Sequence, residues 1–208
     1  RRIDRLIVVE GYMDVVALAQ AGIANAVATL GTAATPEHFQ KLYRYTEEVV
    51  CCFDGDNAGR QAAWRALESA LPHVAGGRQV KFIFLPEGED PDSLVRAQGK
   101  EAFLTLASGA LPAIEYLFDR LADGLELRNL DDRARLASLA MPHIDRVPPG
   151  ILKDLMLARL ADLTGLAPDR ALRARGASGA SGARDSGRPV AARAGAPHRA
   201  DSPSGRTG

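Results

Sequence analysis

The sequence is poor in the residues that zinc sites, disulfide frameworks and membrane spans require. It contains two cysteines, adjacent at Cys51 and Cys52, and four histidines that show no ligand spacing. Neighbouring residues of a strand point to opposite faces, so no disulfide between the two cysteines is expected. No run of about 18 apolar residues occurs, so no membrane span is predicted. This composition is typical of a protein from a reducing cytoplasm.

The sequence also lacks a net charge. Its 26 basic and 26 acidic residues balance, so charge alone does not indicate a surface that binds nucleic acid. The balance conceals an asymmetry. Residues 171–208 contain seven arginines and two aspartates, which leave that segment at about +5 before histidine is counted. The acidic excess therefore lies upstream of residue 171.

What the sequence does contain is an alternation of short apolar runs and helical patterns. Four apolar runs predict buried strands, at residues 6–9, 24–29, 49–53 and 80–85. Three helical patterns lie between them, at residues 13–21, 36–45 and 58–71. This alternation predicts an α/β fold with an open parallel four-stranded sheet flanked by helices.

The chain after the fourth strand changes character twice. A loop leads to Asp92 or Ser93, either of which is expected to cap a short helix. Helices are then predicted at residues 101–107, 112–121, 131–141 and 150–163, with Pro142 among the residues that separate them. From about Gly176 large apolar residues are nearly absent, which favours disorder. We therefore expect three parts: residues 1–94, a small α-helical subdomain at 95–170, and a disordered linker at 171–208.

Acidic residues follow two of the predicted strands at the point where each strand ends. Glu10 follows the first strand, and Asp54 and Asp56 follow the third, separated by Gly55, which is expected to allow a sharp turn through unusual backbone angles. The carboxyl ends of parallel strands share one edge of a sheet, where ligands bind. Close carboxylates repel each other unless a cation neutralises them, so this edge is either a Mg²⁺ site or a set of solvated acids.

Four motifs of the chain together resemble the catalytic Toprim region of bacterial DNA primase of the DnaG type. They are Glu10-Gly11-Tyr12-Met13-Asp14, Leu30-Gly31-Thr32, Asp54-Gly55-Asp56-Asn57-Ala58-Gly59-Arg60 and Gly88-Glu89-Asp90-Pro91-Asp92. Each motif alone is weakly specific, whereas the four in order, each at a predicted strand end, are highly specific. The resemblance covers residues 1–94, and the helical region to about residue 166 is similar to the end of that family's polymerase core.

The resemblance implies a nucleotidyltransferase that makes short RNA primers from ribonucleoside triphosphates on a single-stranded DNA template. It implies two-metal chemistry with Mg²⁺ or Mn²⁺. The implied metal ligands are Glu10, Asp54 and Asp56. The other implied catalytic residues are Asp14, Asp90 and Asp92, and Arg60 is the implied nucleotide-binding residue.

The resemblance also implies modules that this chain is expected to lack. These are an N-terminal zinc-binding module, a basic half of the polymerase core, and a C-terminal domain that binds the replicative helicase. The chain is accordingly expected to be a fragment with weak or no activity of its own, from a protein of the bacterial cytoplasm that acts at the replication fork. Two alternatives stay open: another Toprim enzyme, such as a nuclease or topoisomerase, and a non-catalytic module that binds metal and nucleotide.

Overall fold

A five-stranded sheet lies at the centre of the computed structural model, which describes residues 3–31 and 33–166. The strands are β1 Arg5–Val9, β2 Ala26–Ala28, β3 Glu48–Phe53, β4 Gln79–Phe84 and β5 Leu111–Pro112, and their order in the sheet is β2-β1-β3-β4-β5. The four predicted strands are present and parallel. The predicted count was one too low, because β5 adds a two-residue antiparallel strand beside β4.

Seven α-helices, and a short 3₁₀ helix at Leu71–His73, accompany the sheet within the described part of the chain. They are α1 Tyr12–Gln20, α2 Pro36–Leu42, α3 Asn57–Ala70, α4 Pro91–Ser108, α5 Ala113–Ala122, α6 Leu130–Arg146 and α7 Ile151–Thr164. A kink at Gly99, with φ of 83°, divides α4 between the short helix and the helix at residues 101–107 that were expected. One boundary differs from expectation, because Pro142 lies inside α6 instead of ending it. Among the described residues, no helix is both long and apolar enough to cross a bilayer.

The sheet separates two apolar cores, as expected for parallel strands covered on both faces. Successive residues of β3 serve opposite sides: Cys51 packs into the core beneath α3, and Cys52 into the core beneath α1 and α4. Both cysteines are buried and free, which confirms the prediction that they do not form a disulfide. Because its side chains point alternately to the two sides of the sheet, β3 packs against an apolar core on each face, which fixes the position of its carboxyl end.

The helices after the sheet share a core with it. Residues of α5, α6 and α7 belong to the same buried cluster as β3, β4 and α3. Tyr116 of α5 packs against the strand side chains, with ring centroids 5.4 Å from Phe82, edge to face, and 5.3 Å from Phe84. The predicted tail at residues 171–208, like Thr32, lies outside the described residues.

Candidate active site

The acidic residues of the β1 and β3 motifs follow the carboxyl ends of adjacent parallel strands. β1 ends at Val9 and β3 at Phe53, and the two strands pair directly. Glu10 and Asp54 are therefore neighbours across one edge of the sheet, and both are exposed. This confirms the predicted position of the two residues at a common edge.

Two glycines allow the chain to pass closely beside Asp54. A Cβ atom at Gly59 would lie 2.1 Å from the Asp54 carbonyl oxygen, and a Cβ atom at Gly55 would lie 2.1 Å from the Leu85 carbonyl oxygen. Gly55 is not among the glycines with positive φ, so the expectation that it serves unusual backbone angles was wrong. It is glycine because the β3 and β4 ends leave no room for a side chain.

Asp56 and Asp14 both engage the first turn of a helix. The Asp56 carboxylate caps α3, accepting a hydrogen bond from the Gly59 amide at 2.7 Å. The Asp14 carboxylate accepts one from the Gly11 amide at 3.1 Å, at the start of α1. Each helix N-terminus favours a negative charge nearby. These bonds fix the two carboxylates in position while leaving oxygen atoms available for other partners.

The carboxylates of this edge act on one another electrostatically. Partial burial raises the pKa of Glu10, and the charges of Asp54, Asp14 and Asp56 raise it further. Partial burial and the charges of Asp56 and Asp90 likewise raise the pKa of Asp54. Burial raises the pKa of Asp14 too, and Asp90 contributes to that increase. The fold therefore holds like charges near enough to oppose each other's ionisation.

The loop before α4 adds Asp90 to this group but uses Asp92 differently. The Asp90 carboxylate caps α4, accepting a hydrogen bond from the Ser93 amide at 2.7 Å. The Asp92 carboxylate instead pairs with Arg96 at 2.6 Å. The expectation that Asp92 or Ser93 caps the helix was therefore wrong, because Pro91 occupies the first helical position and leaves Asp90 to precede it. Among the six carboxylates predicted for the site, Asp92 is the one directed to a partner elsewhere.

The donor set suits a hard divalent cation in chemistry, without forming a closed cage. The side chains offer carboxylate oxygens, which Mg²⁺ prefers, and their mutual repulsion would be relieved by a cation. Within residues 3–31 and 33–166, however, no three Asp, Glu, His or Cys side chains already converge as a complete metal site. Mg²⁺ keeps several water ligands and needs few protein oxygens. The predicted ligands Glu10, Asp54 and Asp56 thus fit the ion as an open, partial site.

Two arginines of α3 occupy different sides of this edge. Arg60 places its guanidinium 5.7 Å from the centroid of the Phe84 ring, and its carbonyl accepts a hydrogen bond from the Tyr116 hydroxyl at 3.1 Å. Arg65 lines a small cleft together with Glu10, and its charge lowers the pKa of Glu10. The sequence indicated Arg60, but not Arg65, as a residue of this site. The spacing within α3 was a signal that could have added Arg65, because helix residues five positions apart face different directions.

Comparison with known proteins assigns most of the chain. A family model described as Toprim-like matches residues 7–95, and one described as the DnaB-helicase binding domain of primase matches residues 114–169. The second match corrects an expectation, because a helicase-binding region was expected only beyond the linker. The hydrophobic periodicity of the sequence from α5 to α7 predicts helices. It does not show whether those helices extend the polymerase core or form a bundle that binds a partner.

Relatives of known sequence and structure agree with the family models. The DNA primase of Pseudomonas putida is 52% identical over 171 residues, which are 82% of this chain and 26% of the relative. That of Escherichia coli strain K12 is 53% identical over 169 residues, 81% of this chain and 29% of the relative. This chain thus spans between a quarter and a third of the length of these curated relatives.

Solved structures of relatives share the fold described above. A DNA primase domain from Pseudomonas aeruginosa superimposes with a TM-score of 0.80 at 51% identity, covering 83% of this chain and 54% of the other. A DnaG primase catalytic domain bound to single-stranded DNA superimposes with a TM-score of 0.77 at 52% identity, covering 81% of this chain and 54% of the other. The chain therefore belongs to the bacterial DNA primase family of the DnaG type.

Proposed function

We propose that this chain forms the metal-binding side of a primase active site, in a protein that synthesises short RNA primers on single-stranded DNA for replication. The observation that carries this proposal is the group of carboxylates at one sheet edge, where burial and the charges of neighbouring carboxylates raise the pKa of Glu10, Asp14 and Asp54. Relatives about 52% identical are DNA primases, which supports nucleotidyl transfer over nuclease or topoisomerase chemistry.

Glu10, Asp54 and Asp56 are the proposed ligands of Mg²⁺ or Mn²⁺. A divalent cation bound there would supply positive charge to the phosphoryl group being transferred. Asp56 is held in place by its hydrogen bond from Gly59, so its free oxygen needs little reorganisation to bind. Asp14 and Asp90, each fixed at a helix start, add negative charge that increases cation affinity.

Asp92 has a proposed supporting role. Its carboxylate pairs with Arg96 at 2.6 Å within the first turns of α4, and α4 begins beside Asp90. Through this pair it would steady the loop that presents Asp90. Arg60, stacked on Phe84, remains available at its exposed tip for contact with nucleotide or template.

The division of labour along the chain is also proposed. Residues 1–94 would form the catalytic metal-binding domain, and residues 95–170 the helical subdomain. The match of residues 114–169 to a helicase-binding domain of primase supports contact with the replicative helicase through α5–α7. A relative's complex with single-stranded DNA supports that ligand as template. We place this activity in the bacterial cytoplasm, at the replication fork.

The complete reaction is proposed to need regions that the relatives contain outside the matched segment. The solved catalytic domains are nearly twice as long as the part that this chain covers. An Aquifex aeolicus primase structure, 29% identical with a TM-score of 0.61, comprises zinc-binding and RNA polymerase domains. Zinc would accordingly belong to such a module, and the chain alone would synthesise primers weakly or not at all.

Binding of Mn²⁺ tests the ligand assignment directly. We expect the chain to bind Mn²⁺ in a titration followed by electron paramagnetic resonance, and Asp54→Asn combined with Asp56→Asn to weaken that binding at least 10-fold. Asparagine suits this test because it removes the charge while remaining as good a helix cap as aspartate. The α3 cap at Asp56 therefore survives the substitution.

Asp154→Asn is the matched control, since it removes one carboxylate from the exposed first turn of α7. Its Mn²⁺ affinity should equal that of the unmodified chain. Equal affinity in the double variant and the unmodified chain would contradict the ligand assignment. A parallel loss in Asp154→Asn would show that only general surface charge attracts the ion.

A further inference from the structure

A cleft lies between β1, β3, α3 and the loop that follows β2. Its charged lining residues are Glu10 and Arg65, and the small residues Gly31, Ala33 and Ala34 line its β2 side. Its volume is about 130 Å³. The cleft opens beside the carboxylates described above, because Glu10 belongs both to its wall and to the acidic group.

The position of Arg65 in the cleft follows from the faces of α3. Ala62 and Arg65 are three residues apart on the same side of the helix, and both line the cleft. Arg60 lies five residues earlier, about 140° around the helix axis, and its guanidinium is placed over Phe84. Arg65 is therefore the α3 arginine that faces the Glu10 side of the site.

The Arg65 guanidinium has unused binding capacity. It is exposed, and among residues 3–31 and 33–166 it makes no salt bridge. A guanidinium presents several N–H donors in a planar fork that matches phosphate oxygens. The charge of Arg65 lowers the pKa of Glu10, but no salt bridge occupies the guanidinium, so it is suited to an anionic ligand that enters from solvent.

The size of the cleft limits what that ligand can be. Pockets that enclose a drug-sized molecule usually have volumes of roughly 300–1,000 Å³. A volume of about 130 Å³ is below that range, but it can admit a phosphate group.

We propose that Arg65 binds a phosphate group of the incoming nucleoside triphosphate in this cleft, an inference that rests on the proposed primase function. The phosphate would lie between the guanidinium and the carboxylate edge, where bound divalent cation offsets the charge of Glu10. Arg65 is thus a substrate-binding residue on the opposite side of α3 from Arg60, and it selects the polyphosphate, not the base.

Binding of ATP to the whole chain tests this inference without requiring primer synthesis. Equilibrium dialysis with labelled ATP, in Mg²⁺ in excess over nucleotide, would compare the unmodified chain with Arg65→Gln. We expect affinity to fall roughly 10-fold or more, as for loss of a hydrogen bond to a charged group. Arg65→Lys should fall between the two, since it retains the charge but not the fork. GTP should show the same loss, because ATP and GTP carry the same triphosphate for the guanidinium to bind.

Two matched variants and one further measurement complete the design. Arg159→Gln removes an exposed arginine from α7 and should leave ATP affinity unchanged. Arg60→Gln should reduce it less than Arg65→Gln does. The Mn²⁺ affinity of Arg65→Gln should stay within about 3-fold of the unmodified chain, and its thermal midpoint should be retained, which separates phosphate binding from damage to the metal site or fold.

The possible results separate this inference from the function on which it rests. If Arg65→Gln retains full ATP affinity, or if Arg60→Gln alone loses it, the assignment of Arg65 is wrong while the metal site stands. If the unmodified chain binds Mn²⁺ but no ATP, the inference is likewise overturned. If it binds neither, the proposed metal function itself fails.

Discussion

At the scale of single residues, close backbone approach shapes the site as much as its carboxylates do. The Gly59 Cα lies against the Asp54 backbone, where a Cβ atom would be 2.1 Å from the carbonyl oxygen. The atoms that such a Cβ would contact belong to the main chain, so no change of side-chain rotamer can relieve the clash. The spacing from Asp54 to α3 therefore depends on glycine at position 59.

Gly59→Ala should destabilise the chain and also weaken Mn²⁺ binding. Overpacking of this kind typically costs about 1–3 kcal/mol, and it displaces Asp54 from its neighbours. Urea unfolding and Mn²⁺ titration would measure the two effects. Gly109→Ala is the control, because a Cβ atom there makes only ordinary contacts, the nearest at 3.7 Å, and stability should change little. Unchanged Mn²⁺ affinity in Gly59→Ala would show that Asp54 is not positioned in this way.

A partly buried histidine gives a pH-dependent signal at the same scale. The His143 ring is edge-on to Trp64 at 5.1 Å. Burial lowers its pKa from 6.5, the Glu68 carboxylate opposes this, and Arg146 adds to it. A lowered pKa in the fold means that the unfolded chain takes up the proton first. The contribution of His143 to the free energy of unfolding is therefore fully present above pH 6.5 and is lost as the pH falls below that value.

The fluorescence of Trp64, the single tryptophan, should report this titration. Protonated imidazole quenches indole, so emission should drop with a midpoint below pH 6.5 and stay level in His143→Gln. The decrease in unfolding free energy between pH 7 and 5 should also be smaller in that variant. A midpoint above 6.5 would mean that Glu68 outweighs burial, and Glu68→Gln would then lower it.

At the scale of elements, the start of α4 distinguishes helix capping from the proposed role of its carboxylates in cation binding. Asp90 caps the helix and its charge also reaches Asp14 and Asp54. Asp90→Ala should lower stability by about 1 kcal/mol, as loss of a helix cap does, while Asp90→Asn should retain it. Asp92→Ala should cost roughly 0.5 kcal/mol or less, because exposed ion pairs contribute little. Urea unfolding followed by Trp64 fluorescence would rank the three variants.

The same substitutions examine function separately from folding. Asp90→Asn keeps the cap but removes a charge from the acidic group, so its Mn²⁺ affinity should fall even though its stability does not. If Asp90→Asn binds Mn²⁺ as the unmodified chain does, Asp90 is a helix cap and nothing more. Asp92→Asn, paired with Arg96 away from the group, should have the smaller effect on Mn²⁺ binding.

Elements whose signals are local were predicted from the sequence. The apolar runs of β1, β3 and β4 end at acidic residues or turns, and Thr35 followed by Pro36 predicts the start of α2. The shared edge of parallel strands then predicts that Glu10 and Asp54 meet. β5 could not be predicted in this way. A strand of two residues has no detectable hydrophobic period, and it forms only because the chain just before α5 lies beside β4. The cleft of Arg65 also depends on which segments pack together in three dimensions, whereas the cap at Asp90 follows from a local signal, Pro91 at the first helical position.

At the scale of the whole molecule, the acidic edge makes stability depend on cation. Raised pKa values at Glu10, Asp14 and Asp54 mean that the fold opposes their ionisation, so near pH 7 their charges destabilise it. A cation that binds the folded state reverses this. At a concentration 100 times its dissociation constant it adds about 2.7 kcal/mol, or roughly 5–10 °C in Tm for a chain of this size.

Metal should therefore reverse which of the two proteins, Asp54→Asn or the unmodified chain, has the higher melting temperature. In chelator at pH 7, Asp54→Asn should melt at the same temperature or higher, because one repelling charge is gone. In saturating Mn²⁺ the unmodified chain should melt higher, because it keeps the ligand. Differential scanning calorimetry in both conditions would check this, with Asp154→Asn unchanged in each. A lower midpoint for Asp54→Asn in chelator would show that Asp54 stabilises the fold without metal, and the edge would then be a structural network instead of a cation site.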